Sequence, residues 1–238
     1  MKYNNYSFTR ETNTYYDQGL RVYMLSIYQN ISMALGISAL VAYIVGSSSQ
    51  IAMVLFSTPL AYVVMFAPLI YILFFSRKLM DMDKAEAMLH LGIFAALNGL
   101  SLGSIFLVYT TASIAKTFFI TASTFGAMSL YGYSTKKDLT SLGSFAYMGL
   151  IGLVLASLIN IFLRSAALDF AVSFIGVGVF TILTAWDTQK LKSIYYAMNG
   201  NTARAGNIAV YGALTLYLDF INLFIMLLHF FGIRRSDN

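Results

Sequence analysis

Seven apolar runs, each bounded by charged or polar residues, leave this chain few ways to fold. They cover about Val22–Val45, Ile51–Phe75, Ala87–Tyr109, Ala112–Tyr131, Leu142–Leu163, Phe170–Trp186 and Ile208–Phe231. A run of about 20 residues, rising 1.5 Å per residue as a helix, matches the ~30 Å hydrocarbon core of a bilayer. Inside lipid, backbone N–H and C=O groups find partners only within a helix or a closed barrel, and runs this continuous, without alternation, fit helices. The prediction is an all-α membrane protein with seven transmembrane helices. Composition agrees, since 58% of the 238 residues are hydrophobic and only 11% charged, where soluble domains carry about 25% charged residues. The fourth run is the weakest, being rich in Thr, Ser and Gly and carrying Lys116.

The spans divide the chain into a polar N-terminal tail (1–21), a transmembrane domain (22–232) and a short C-terminal tail (233–238). The first twenty residues lack the apolar core and small-residue cleavage site of a removable signal peptide, so the first span is expected to serve as the membrane address. With no cysteine in the sequence, disulfides, thiolate metal sites and cysteine nucleophiles are excluded. The net charge of +5 comes from basic residues scattered through short loops, which fits a positive-inside bias rather than a nucleic-acid surface. With seven crossings, Lys2, Arg10, Arg21, Arg77, Lys78, Lys84, Lys136, Lys137, Lys190, Lys192 and Arg204 share the side of the N-terminus. Only Lys116, Arg164, Arg234 and Arg235 of the 15 Lys and Arg face the other side. That places the N-terminus in the cytoplasm. A last segment that dipped in and returned would improve the bias further, but its 24 residues argue for a full crossing.

Two carboxylates stand where hydrocarbon should forbid them. Asp187 closes the sixth run (FTILTAWDTQ) and Asp219 lies deep in the seventh (LYLDFINLF). A charge at mid-helix costs about 2.5–3.5 kcal/mol on insertion scales, so such residues are seldom kept without a role. The two runs form an antiparallel hairpin whose turn is marked by Asn199-Gly200-Asn201 and Gly206-Asn207. The midpoint of 187 and 219 falls at 203, so both aspartates can sit at one depth and meet. Carboxylates about 4 Å apart repel by about 4 kcal/mol at an effective dielectric of 20; they are expected to share a proton and titrate as a pair. Ionised, they offer the hard oxygen ligands that suit Ca²⁺.

In the seventh run Thr215, Asp219, Asn222, Met226 and His229 recur at helical spacing and form one polar face. They are candidate pore-lining residues, and such a helix should be enclosed by others. The second run holds Pro59 and Pro68, the only prolines of the chain. Proline weakens or kinks a helix, which makes this run a candidate hinge. Arg77, at its end, is placed to hold an ionised aspartate as a clasp. In the third run Ala95, Gly99 and Gly103 form a small-residue stripe that lets a neighbouring helix come close.

The hairpin segments TAWDTQKLK and LYLDFINLFIMLLHFFG, and the segment GYSTKKDLTSLGSF at Gly132–Phe145, resemble the Bax inhibitor-1 family of transmembrane proteins. The resemblance implies seven helices with the C-terminal one central and surrounded by the other six. It also implies a pH-sensitive calcium leak in a bacterial inner membrane, governed by an aspartyl pair (Asp187, Asp219) and an arginine from the second helix (Arg77). Ca²⁺ and protons would then be its partners beside the bilayer, with no cofactor. A second implication is an interaction protein that modulates a membrane-anchored quality-control protease or a stress response, with residues 1–20 as its handle. Enzymatic function is not expected. The Gly-x-Gly-Asp motif of intramembrane aspartyl proteases is absent around Asp219, and no His-Glu-x-x-His occurs.

Overall fold

The computed structural model describes the backbone of residues 4–79, 82–198 and 202–235; the side chains of residues 4–17, 77 and 202–205 fall outside that description. Nine helices account for the described chain: α1 (Asn4–Ser47), α2 (Ser49–Phe56), α3 (Leu60–Lys78), α4 (Lys84–Leu102), α5 (Ile105–Val108), α6 (Thr111–Ser134), α7 (Thr140–Leu163), α8 (Ala166–Ala197) and α9 (Thr202–Phe231). The starts are set by short polar side chains that satisfy otherwise orphaned backbone donors. Ser48, Asp83, Thr110 and Ser165 accept from the amides of Ile51, Glu86, Ser113 and Leu168. α7 ends on Arg164, whose left-handed backbone (φ 50°) turns the chain into α8.

Five helical segments are long and apolar enough to cross a bilayer by themselves, and the bent pair α2–α3 makes a sixth. The protein is therefore an all-α, multi-pass membrane protein. α6 has 24 residues but is too rich in Thr, Ser and Gly to pass the same test, as its weak signal in the sequence anticipated.

Three sequence expectations need correction. The second run is not one continuous span. It breaks at Ser57–Pro59, and α2 lies at 81° to α3, because Pro59 offers no amide to continue the α2 ladder and instead opens a new helix. Pro68, by contrast, is accommodated inside α3. The sixth run extends well past Trp186, so that Asp187 lies inside α8 with ten further helical residues after it. Gly206 and Asn207 belong to α9 and not to the turn. The polar tail from Asn4 onward is continuous with the first span, whose membrane-crossing part begins near Gln18.

α9 occupies the centre. In its spanning window 56% of residues are buried, against 11% for α7. Its immediate wall is α8, α1, α6 and α4; α3 packs on α4 and α7 on α8, completing the ring from a second row. The predicted small stripe of α4 seats α1: a Cβ on Gly99 would come within 2.7 Å of the Ser38 carbonyl oxygen, and one on Gly103 within 2.4 Å of Val45. At the far end of the bundle from the α8–α9 turn, the chain after α9 pairs with the α5–α6 junction. Thr110 N donates to Ile233 O (3.0 Å) and Arg235 N to Val108 O (2.9 Å). The last helix is thus a single unbroken rod running from one end of the bundle to the other, not a segment that dips and returns.

Candidate functional site

α8 and α9 run side by side, sealed at two close approaches. Leu191 packs on Gly212, and Met226 on Gly176, each leaving less than 3 Å for a missing Cβ. Between these contacts lie Asp187 and Asp219, 8% and 6% exposed. Their carboxyl groups lie close enough for each to act on the other, and two ionised carboxylates so placed have no donor between them and repel. Asp219 Oδ2 is buried with no hydrogen-bond partner among the described residues, a costly state for a polar atom at this depth. Among the described residues, the cation acting on Asp187 is Lys190, one turn along α8, whose Nζ rests 5.0 Å over the Trp186 ring.

The α6–α7 connection braces this turn of α8. Gly132 meets α8 so closely that a Cβ there would stand 2.1 Å from the Ala185 carbonyl oxygen, and Gly143 meets the Trp186 ring in the same way. Gln189 closes the joint from both sides of its amide: Oε1 accepts from Leu139 N (2.9 Å) and Nε2 donates to Lys137 O (2.8 Å). The two sequence segments TAWDTQKLK and GYSTKKDLTSLGSF are therefore physical partners. Tyr28 on α1 brings its hydroxyl beside Ser129 on α6 and Thr188 on α8, adding a polar cluster next to Asp187 that no sequence spacing pointed to.

The other predicted residues distribute unevenly. Thr215 and Asn222 are half-buried and bond to carbonyls one turn back on their own helix, at Tyr211 (3.1 Å) and Leu218 (2.8 Å). Met226 fills the notch at Gly176. His229 sits at the far end, with Nδ1 4.0 Å from Asp169 Oδ1 and its ring stacked on Tyr109. The polar face thus exists along α9, but its members serve different neighbours. Arg77 lies in the last turn of α3, and its side chain falls outside the described residues. Two turns of evidence bring its neighbourhood to the hairpin: Leu79 is fully buried, and Asn207 Nδ2 of α9 donates to Met82 O. No group of three or more His, Asp or Glu suited to a metal occurs among the described residues. The two aspartates supply only part of the six to eight oxygens that Ca²⁺ takes.

Two polar contacts had no sequence signal. Ser38 Oγ lies 2.7 Å from both the Ala95 carbonyl and the Tyr217 hydroxyl, knotting α1, α4 and α9. Tyr71 and His90 hold α3 to α4 through a 2.5 Å contact.

The family model described as "Inhibitor of apoptosis-promoting Bax1" matches residues 20–236. An uncharacterised protein of Rickettsia prowazekii is 48% identical over 228 residues, which is 96% of each chain. The inner membrane protein YbhL of Escherichia coli K12 is 45% identical over 219 residues, covering 91% of this chain and 94% of its own. An uncharacterised protein of Caulobacter vibrioides is 45% identical over 229 residues, 92% of each. The matches run the length of the bundle, from the start of the first span to the residues that follow α9.

Proposed function

We propose, from the fact that the chain belongs to the Bax inhibitor-1 family of inner-membrane proteins, that it is a pH-sensitive calcium leak gated at Asp187 and Asp219. The observation that carries this reading is the meeting of two buried carboxyl groups inside a lipid-embedded bundle, one of them with an oxygen that has no hydrogen-bond partner among the described residues. Such a pair binds a proton or a divalent cation in competition, because both remove the same uncompensated negative charge. Ca²⁺ would use the carboxylate oxygens and complete its shell with water. It is the cargo here, not a resident cofactor.

In this reading α6 is the seventh crossing, and the N-terminus faces the cytoplasm, as the basic residues at the α3–α4, α6–α7 and α8–α9 turns favour. Arg77, on the helix that the Pro59 break sets apart, holds the ionised pair and closes the path. Acidification protonates the pair, weakens that hold and opens the path, while also reducing Ca²⁺ binding, so flux passes through a maximum as pH falls.

Calcium flux into proteoliposomes of the full chain, followed over about pH 5–8, tests it. Wild type is expected to show a pH-dependent flux, Asp219→Asn to lose the pH dependence, and Arg77→Gln to leak more at neutral pH. Flux and pH response unchanged in Asp219→Asn overturn the proposal and shift the weight to an interaction role.

A further inference from the structure

A gap opens in the bundle between α1 and α6. α1 and α6 both lie against α9 yet make almost no direct contact with each other. The space between them is a crevice of about 870 Å³ that begins at Arg21 and Tyr133, at the end carrying the α6–α7 turn, and continues past Leu35 and Phe118. A second chamber of about 330 Å³ shares Leu35, Ala39, Phe118 and Phe220 with the first and carries the crevice on to Tyr43 and Thr111. From Arg21 to Ala39 the wall of α1 rises about 27 Å, more than the ~15 Å depth of one leaflet's hydrocarbon. The lining is mostly carbon in the crevice and almost entirely so in the second chamber, and Phe220, Ile221 and Phe224 of α9 form its floor. An apolar slot is a poor route for an ion and a good one for a hydrocarbon chain.

Deeper in the slot, Ser32 and Ser38 spend their hydroxyls on the Tyr28 and Ala95 carbonyls, and the charged groups gather at the mouth. Arg21 is exposed at the mouth. Lys192 stands there too, donating to Tyr133 O (2.9 Å) with its Nζ 5.4 Å over the Tyr133 ring. One turn deeper, about 6 Å below Tyr133, Ser129 lines the slot with a 97% buried side chain whose Oγ has no good hydrogen bond among the described residues, although the Tyr28 hydroxyl is close by. Positive charge at the interface, then a hydroxyl at the depth of an ester, then a long apolar slot, is the order of groups along a phospholipid read in complement.

We infer that the α1–α6 crevice is a binding site for one anionic phospholipid, with its phosphate at Arg21 and Lys192, an ester carbonyl accepting from Ser129, and an acyl chain laid over Phe220 between α1 and α6. Asp187 and Asp219 do not line it, so lipid retention is read separately from ion flux.

Two glycines make the test clean. Gly126 on α6 and Gly36 on α1 both line the crevice, and a Cβ at either meets nothing within 4 Å. Gly126→Leu and Gly36→Leu therefore enter the slot from opposite walls with open space at the new Cβ, and each improves helix propensity. The full chain in detergent is titrated with phosphatidylglycerol or phosphatidylcholine, and bound lipid is counted by native mass spectrometry. Wild type is expected to retain one phosphatidylglycerol in preference to phosphatidylcholine. Either leucine variant lowers that affinity by about tenfold while melting no earlier than wild type, and Arg21→Gln reduces the preference for the anionic lipid by about fivefold. Equal retention by wild type and both leucine variants marks the lipid as annular and overturns the inference, as does an equal affinity for the two headgroups.

Discussion

Gly132 offers the sharpest test of how the candidate site is braced. A Cβ built there lies 2.1 Å from the Ala185 carbonyl oxygen, 2.9 Å from its carbon and 3.0 Å from its Cα, whereas ordinary contact begins near 3.4 Å. The obstacles are backbone atoms of α8, so no side chain can rotate away. Gly132→Ala must drive α6 and α8 apart by about 1.3 Å, at the turn that precedes Asp187. Overpacking of this kind costs about 1–3 kcal/mol, and contact with backbone puts it at the upper end. The substitution also gains about 1 kcal/mol of helix propensity, leaving a net loss of about 2 kcal/mol. Gly126→Ala, less than two turns earlier on the same helix, gains the propensity with nothing to strike. Two identical substitutions on one helix are thus expected to differ by about 3 kcal/mol, or about 6–12 °C in melting temperature for a chain of this size. Thermal unfolding in detergent measures the difference, and Trp186, the only tryptophan, sits at the strained joint and reports it by fluorescence. Melting temperatures within about a degree of each other would refute the reasoning, because the close approach of α6 and α8 would then contribute nothing.

Tyr217→Phe removes the hydroxyl that meets Ser38 at 2.7 Å in a fully buried position and is expected to cost about 1 kcal/mol, read as an earlier melt; an unchanged melt means that the three-helix knot adds no stability. Gln189→Leu frees both backbone groups of the α6–α7 connection, so limited proteolysis should cut between Ser134 and Thr140 faster than in wild type, and equal rates would place the restraint elsewhere. Asp138, on that same connection, is held below the ordinary carboxylate range by the hydroxyl and amide of Thr140. A lowered carboxylate stabilises the fold above its unfolded value of about 4 and loses that contribution as pH falls through the lowered one. A carboxyl NMR titration should accordingly find its midpoint below that of a free aspartate, and a midpoint at or above it contradicts the assigned hydrogen bonds.

What the sequence made legible was what hydropathy and spacing can encode. Asp187 and Asp219 could be paired from the chain alone because an antiparallel hairpin fixes which depths face each other. The stripe Ala95–Gly99–Gly103 announced a close helix contact, though not that α1 would make it, because only small residues admit two backbones so closely. Turn signals were read less well. Gly206 and Asn207 look like a loop, yet they continue α9, since Asn207 has a partner in Met82 O that local propensity could not reveal. The continuous run Ile51–Phe75 concealed a right-angled break, because hydropathy records burial in lipid and is blind to direction. Contacts between distant helices left no trace. Nothing in the spacing of Tyr28, Ser129 and Thr188 shows that three helices bring them together, and nothing in α6 shows that it stands apart from α1.

If an ion passes the aspartates as proposed, the packing decides which part of the bundle can move to let it. α9 is wedged on one side by Gly176–Met226 and Gly212–Leu191, and α8 is keyed to α6 and α7 at Gly132 and Gly143. α1 is keyed to α4 at Gly99 and Gly103. Shifting any of these helices by an ångström drives a glycine backbone into a packed side chain or, at Gly99 and Gly132, into another backbone, so they behave as one body. α3 is different. It rests on α4 and α2, it is cut from the preceding chain at Pro59, and among its described residues only Val64, Pro68 and Phe75 are buried. Tyr71 tethers it to His90 near one end and Ser101 Oγ to the Val64 carbonyl near the other, two polar contacts in place of an interlocked seam. A gate closed by Arg77 would therefore be carried on the one crossing that can swing without unpacking the rest, and the proline break, not the proline inside the helix, supplies its pivot.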